Sequence, residues 1–219
     1  MCTRNYNGYG VRDNFPLRDM PLSEFKILLD PVLPHPKFML SLCGTYGDPA
    51  ANKNCTEILE YVHTVYPHVE IIMSSNASMK TPAWWAKLAE FTNLKIEFAL
   101  DGLADTHSIY RQNTNWHKII ENATAYIDAG GFAIWQFIKF DHNKHQLEQC
   151  KQMSKDIGFA EFKHFDDNRA NGLAFTPDGD PFVLGTPSEE ITSAMQFVEQ
   201  EKYLQRQYEL NLQEEYVRD

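Results

Sequence analysis

The chain is short of the features that mark several protein classes. No apolar run in its 219 residues approaches the roughly 18 needed to span a bilayer, and the polar opening Met1 to Gly10 lacks the apolar core of a signal peptide. These absences predict a cytoplasmic protein that does not engage a membrane. Blocks of basic residues are lacking too. Twenty Lys and Arg against 30 Asp and Glu give a formal charge of -10, and nucleic-acid backbones are bound chiefly through clustered cations, so nucleic acid is not the expected partner. The four cysteines, Cys2, Cys43, Cys55 and Cys150, are too sparse for a disulfide framework and read as reduced thiols, any of which could still be a ligand. What is present, 43% hydrophobic and 23% charged residues, is the composition of one globular domain with room for a core.

Along that domain two periodicities alternate. Pro21 to Leu29 starts a short helix, and Lys37 to Cys43 reads as a buried strand. A helix over Cys55 to Val65 has Ile58, Leu59 and Val62 on one face, and Val69 to Ser74 is the next strand. Thr81-Pro82 opens a helix through Phe91, with proline at the first helical position where its missing N–H costs little. A strand over Leu94 to Leu100, a helix over Trp116 to Ala129 stopped by Gly130-Gly131, a strand over Ala133 to Phe140, a helix over Lys144 to Ile157 stopped by Gly158 and a strand over Ala160 to Phe165 complete the series. From Thr186 a polar helical pattern, capped by Ser188, runs from Glu189 to about Tyr216 as a linker or docking helix. The domain boundaries predicted are therefore 1–185 and 186–219. Strand and helix repeating every 30 residues or so is the signature of parallel βαβ units. Five strands are too few for a closed eight-stranded barrel.

In parallel α/β folds ligands bind at the carboxyl ends of the strands, where free backbone N–H groups are offered. Here those ends carry Cys43-Gly44-Thr45-Tyr46-Gly47-Asp48-Pro49, Ser74-Ser75-Asn76-Ala77-Ser78, Asp101-Gly102 and Asp141-His142-Asn143. Small and polar residues collected on one rim point to a polar small molecule, although turn chemistry alone would also place Gly, Asn and Asp there. The loop Gly44 to Pro49 has no phosphate-binding lysine; its carbonyls and the Asp48 carboxylate suit an ammonium group, or Asp48 simply caps the turn. Arg111, ten residues past Asp101, could clamp a ligand carboxylate or form an ordinary surface pair with Asp101. Gln136, between Trp135 and Phe137, is a polar residue either in the site or satisfied by its neighbours. His142 and His145 lack a third metal ligand, so His142 reads as a cap-loop or ligand-contact residue. Trp84-Trp85 reads as packing rather than a base-stacking platform. An acid–base site built from Asp48, Asp101 and His142 would need two of them facing each other across the rim.

Together, Met1-Cys2-Thr3-Arg4-Asn5, Gly44 to Pro49, Ser75-Asn76 and Ala99-Leu100-Asp101-Gly102 running to Tyr110-Arg111 resemble a radical S-adenosylmethionine enzyme, over about residues 1 to 165. The resemblance is to the branch that includes peptide-modifying enzymes and often carries a C-terminal auxiliary cluster region. It implies an incomplete (βα) partial barrel of about five parallel strands. It also implies a [4Fe-4S] cluster held by a CxxxCxxC loop, with S-adenosylmethionine on the fourth iron, and Cys2 matches the last cysteine of that loop. The first two cysteines and the strand before them do not appear in the chain, so the chain is expected to start too late, to stop before any auxiliary region and to be inactive by itself.

By the same resemblance Gly44, Gly47 and Asp48 would receive the methionine amino group, with Asp48 one methylene shorter than the more usual Glu. Ser75 and Asn76 would support the ribose or carboxylate region, Asp101 and Arg111 would contact cofactor or substrate, and Gln136 and Asn143 are further candidates. The chemistry implied is reductive cleavage of the sulfonium to a 5'-deoxyadenosyl radical that abstracts hydrogen from a small-molecule or peptide substrate, with electrons from a flavodoxin- or ferredoxin-like protein. Cys43 is expected to be buried packing in its strand rather than a substitute cluster ligand. A sheet lacking its first unit exposes an edge, which predicts poor solubility or self-association. The rival reading is a non-catalytic α/β binding domain that keeps the rim without a redox centre.

Overall fold

Apolar residues at every second position build the strands, and apolar residues at every third and fourth position build the helices between them. The computed structural model describes residues 18–44 and 47–166, together with the backbone of four short terminal strands. In chain order the strands are β1 (Asn5–Tyr6), β2 (Tyr9–Val11), β3 (Met39–Leu42), β4 (Glu70–Ser75), β5 (Leu94–Ala99), β6 (Phe132–Lys139), β7 (Glu161–Asp166), β8 (Leu173–Phe175) and β9 (Pro181–Val183). The helices are α1 (Leu22–Leu29), α2 (Cys55–Val65), α3 (Pro82–Leu88), α4 (His107–Tyr110), α5 (Trp116–Asp128) and α6 (Leu147–Ile157).

Five strands form one parallel sheet in the order β3-β4-β5-β6-β7, each neighbour in space being the neighbour in sequence. Right-handed crossovers in unbroken sequential order put every connecting helix on the same face. The burial pattern agrees. Ile71 and Met73 of β4, Ile96 and Phe98 of β5, and Trp135 and Phe137 of β6 are buried in one cluster with Ile58, Leu59 and Val62 of α2, Trp85 and Leu88 of α3, Ile119 and Ala123 of α5 and Cys150 of α6. Full burial of each large side chain contributes roughly 1.5–3 kcal/mol, so this face is where stability resides. The fold is therefore an α/β partial barrel rather than a doubly wound sheet. Its strand order never reverses, so the opposite face stays free of the connecting helices.

The helix boundaries follow local chemistry. The Thr81 hydroxyl accepts from Trp84 N at 3.4 Å ahead of Pro82, Asn115 accepts from Lys118 N at 3.1 Å to open α5, and Gly158 ends α6 in the left-handed region at φ 100°. Four sequence expectations change in detail. The helix expected to reach Phe91 stops at Leu88, because three-residue turns closing on Ala86, Lys87 and Leu88 tighten the chain so that Phe91 reaches the core. The strand expected to be buried at 37–43 is the edge strand β3, pairing only with β4 among the described residues and alternating exposed with buried positions. Cys43 is correspondingly exposed, past the end of β3, and not packed in the core. The short helix α4 and the antiparallel pairs β1–β2 and β8–β9 are additions, too brief for periodicity to reveal.

By its backbone contacts the chain divides into two units, one of Arg12–Asp167 and one of Met1–Val11 with Asn168–Asp219. The tail from Thr186 and the region around Cys2 lie outside the described residues. Among the described residues no helix is long and apolar enough to cross a membrane.

Candidate cofactor rim

At the carboxyl ends of the strands two aspartates organise the loops. Asp48, at the head of a short 3-10 turn over Pro49–Ala51, accepts from Ala50 N at 3.0 Å as its cap. Its carboxylate also accepts from Ser75 Oγ at 2.8 and 2.9 Å and from Asn76 N at 2.8 Å. The tip of β4 is thereby tied to the loop after β3. Ser75 in turn accepts from Ala77 N at 2.9 Å, and the Asn76 side-chain oxygen accepts from Ser78 N at 3.0 Å. Of the two readings open for Asp48, capping is what the geometry displays. Gly44 is required by close approach: a Cβ there would stand 2.9 Å from the Gly47 carbonyl oxygen.

Asp101 is the second organiser, and it is fully buried. One carboxylate oxygen accepts from Arg111 Nε at 2.6 Å and the other from Ile138 N at 2.6 Å. The Asp101–Arg111 pair expected as the ordinary alternative does form, but with the carboxylate buried and the arginine 24% exposed rather than at the open surface. The Asp101 backbone N–H donates to His107 Nδ1 at 3.2 Å. That leaves the ring proton on Nε2, which donates to Thr114 Oγ1 at 3.1 Å, and the Thr114 hydroxyl donates to the Arg111 carbonyl. Burial lowers the His107 pKa to about 4, with the Arg111 charge adding to the effect and Asp101 opposing it. A neutral imidazole thus braces both ends of the Arg111 segment.

The third and fourth rim loops are locked together. Asn143 is buried; its oxygen accepts from Phe140 N at 2.7 Å, and its Nδ2 donates to the Asp101 carbonyl at 3.2 Å and the Ile138 carbonyl at 2.9 Å. Gln146, also buried, accepts from Leu103 N at 2.9 Å and from the Thr106 hydroxyl, and donates to Asp105 at 2.9 and 3.1 Å. Gly102 sits at φ 115° with Thr106 and Gln146 where a side chain would go. Gln136 lies on the helix-free face, its Nε2 3.5 Å from Glu97.

The rim thus brings Gly44, Gly47, Asp48, Ser75 and Asn76 into one knot and Asp101, Arg111 and Asn143 into another, with Gln136 about two residues below the second. Sequence reasoning missed His107, Thr114 and Gln146 as supports. A histidine six residues after the aspartate on the same loop was the available signal for the first. The Arg111 guanidinium, its side chain 24% exposed, spends Nε on Asp101 and rests over the Tyr110 ring at 4.9 Å. Its two outer nitrogens have no hydrogen-bond partner among the described residues. The fixed, half-open cation is what the rim offers an anion.

The thiols described are a poor fit to an iron–sulfur cubane. Cys43, Cys55 and Cys150 stand free, and no group of three or more His, Cys, Asp or Glu able to hold a metal occurs among the described residues. Burial pushes the Cys55 and Cys150 thiols up to about 12, far from the thiolate a cluster needs. Cys2, the one cysteine matching the cluster loop, is outside the described residues.

No protein-family model matches the chain, and no curated protein matches it. Solved structures do. Streptococcus suis SuiB bound to S-adenosylmethionine matches with a TM-score of 0.61 at 12% identity, over 75% of this chain and 39% of that one. SuiB bound to its precursor peptide SuiA matches with a TM-score of 0.63 at 11% identity, over 88% and 41%. A polyhistidine-tagged anSMEcpe with bound AdoMet matches with a TM-score of 0.60 at 12% identity, over 80% and 47%. The class defined is a fold class alone, an α/β partial barrel like that of these S-adenosylmethionine-bound structures. The chain spans roughly two fifths to one half of the length of these structures.

Proposed function

We propose that this barrel is the cofactor-binding core of a radical S-adenosylmethionine enzyme, acting on a peptide or small-molecule substrate. One observation carries the reading: Arg111 is held through Nε by a buried aspartate, its side chain 24% exposed and its outer nitrogens without a hydrogen-bond partner among the described residues. That geometry suits bidentate capture of the methionyl carboxylate. The Asn76 side-chain Nδ2, unspent among the described residues, is the donor for the ribose hydroxyls, while Ser75 and Asn143 act by positioning. With the Asp48 carboxylate committed to Ser75, Asn76 and Ala50, the methionyl ammonium falls to the carbonyls of Gly44 and Gly47. Asp101 fixes Arg111 rather than touching the cofactor. The likeness to structures that hold S-adenosylmethionine, and to one that holds a precursor peptide, supports both the ligand and the substrate class.

Bound beside a reduced cluster, S-adenosylmethionine supplies hydrogen abstraction by its 5'-deoxyadenosyl group. The described thiols do not fit such a cluster, and Cys2 is the one cysteine of the sequence outside the described residues. The work of the residues in hand is to orient the nucleotide and shield it. Asp48 and Asp101 each hold structural donors on both carboxylate oxygens and, among the described residues, face no second titrating group across the rim, which argues against an ordinary acid–base mechanism.

Calorimetric titration with S-adenosylmethionine tests the rim. Arg111→Met is expected to weaken binding about tenfold or more, the scale of one charge-assisted pair, and Arg111→Lys less. Unchanged affinity in a folded Arg111→Met protein overturns the reading.

A further inference from the structure

The Asp101–Arg111 pair is built into a closed circuit of hydrogen bonds, and a fully buried histidine, His107, stands at its centre. The ring Nδ1 accepts from the Asp101 backbone N–H at 3.2 Å, so that nitrogen carries no proton and Nε2 does. Nε2 donates to Thr114 Oγ1 at 3.1 Å, and the Thr114 hydroxyl continues in the same direction by donating to the Arg111 carbonyl. Arg111 closes the circuit twice. Its backbone N–H donates to the His107 carbonyl at 2.9 Å, and its Nε donates to the Asp101 carboxylate at 2.6 Å. Thr114 reaches back over so short a span because Asn113 turns the chain in the left-handed region at φ 59°, a conformation that asparagine tolerates better than most residues.

Both ring bonds of this histidine therefore lead to the clamp. One fixes the main chain of the residue that supplies the counter-ion, whose carbonyl is fixed in turn by Asn143 at 3.2 Å. The other reaches, through Thr114, the main chain of the residue that supplies the guanidinium. A histidine that only filled space would need neither a fixed tautomer nor partners at both ends of one ion pair. The charged groups that act on the ring are Asp101 and Arg111, of opposite sign, and burial keeps it neutral. A protonated ring would set an Nδ1–H against the Asp101 N–H and break the circuit at its first bond. An arginine has several rotatable bonds, and a ligand that must first immobilise them loses affinity. With the Asp101 loop and the Arg111 backbone both held, the guanidinium is placed before any anion arrives.

We infer that His107 is a positioning residue for anion capture: its neutral ring, protonated on Nε2, fixes the Asp101 and Arg111 main chains against each other and so sets the preference of the rim for a ligand that carries a carboxylate. Being fully buried, it acts through Asp101 and Thr114 and touches no ligand itself. The inference rests on the reading of Arg111 as the clamp for the methionyl carboxylate, and it adds which residue makes that clamp selective.

The test titrates the full chain by calorimetry with S-adenosylmethionine and with decarboxylated S-adenosylmethionine, which lacks only the carboxylate. The parent chain is expected to prefer S-adenosylmethionine at least about tenfold. His107→Phe keeps an aromatic ring in place but neither ring bond. It should cut that preference to about threefold or less while leaving the affinity for the decarboxylated compound within about twofold. Thr114→Val breaks only the second ring bond and should cut the preference about two- to threefold; it decides the matter alone if His107→Phe does not fold. Nitrogen NMR shifts of the His107 imidazole should show the neutral Nε2–H form at about pH 7. A folded variant that keeps the full preference, a loss that falls equally on both ligands, or a ring found charged or protonated on Nδ1 would each overturn the inference. A parent chain that shows no preference would instead sink the reading of Arg111 as the carboxylate clamp, and the inference with it.

Discussion

Asp48 and Asp101 stand at the tips of neighbouring parts of one sheet, and they do different work. Asp48 is satisfied by two backbone N–H groups and a serine hydroxyl, all neutral donors. Asp101 is buried and shares its carboxylate between a backbone N–H and a guanidinium. The first arrangement only closes loops. The second closes loops and also holds a cation that is partly exposed. An aspartate in a strand-end loop therefore says little until its donors are known. A neutral donor set marks a clasp, whereas a donor set containing an arginine with spare nitrogens marks a binding edge.

Removing each carboxylate in turn separates the two roles. Asp101→Ala leaves Arg111 partly buried without its counter-ion and Ile138 N without an acceptor, and is expected to cost about 3–5 kcal/mol in chemical denaturation. Asp48→Ala should cost less, about 1–3 kcal/mol, because only hydrogen bonds are lost. Equal costs would mean that the Arg111 pair is no more than another clasp.

Acid should attack the second knot selectively. With its folded pKa depressed to about 4 from an unfolded value near 6.5, His107 binds protons more readily in the unfolded chain. Its contribution is fully present above pH 6.5 and is lost as the pH falls from there toward 4. The linkage amounts to about 3 kcal/mol across that window. Denaturation midpoints measured across this acid range should show the slope, and His107→Gln should flatten it. Persistence of the slope in the variant would assign it to the carboxylates elsewhere. The smallest effect is expected on the Asp48 side, where Ser75→Ala removes one hydroxyl donor and should cost about 1 kcal/mol with little change in S-adenosylmethionine affinity. A large loss of affinity would make Ser75 a ligand contact.

Much of this architecture was legible along the chain. The five strands and their connecting helices follow the alternation of periods two and 3.6, and the stops at Gly130 and Gly158 coincide with observed left-handed residues. The rim was legible as a set of loops because parallel strands carry their polar turns at one end. Its internal roles were not. Cys43 closes a mostly apolar heptapeptide, and nothing local says that its strand is the edge of the five-stranded sheet among the described residues. Glu97, Lys163 and Ser74 each alternate with core residues on different strands, and only parallel register makes them neighbours.

Local residue pattern is enough to dictate parallel βαβ units with small polar loops at their tips, since periodicity and turn chemistry act between residues close in sequence. Packing of the strands settles which aspartate is a clasp and which holds an arginine. Those outcomes depend on burial and on distances between residues tens of positions apart, and such quantities exist only once the strands are laid side by side.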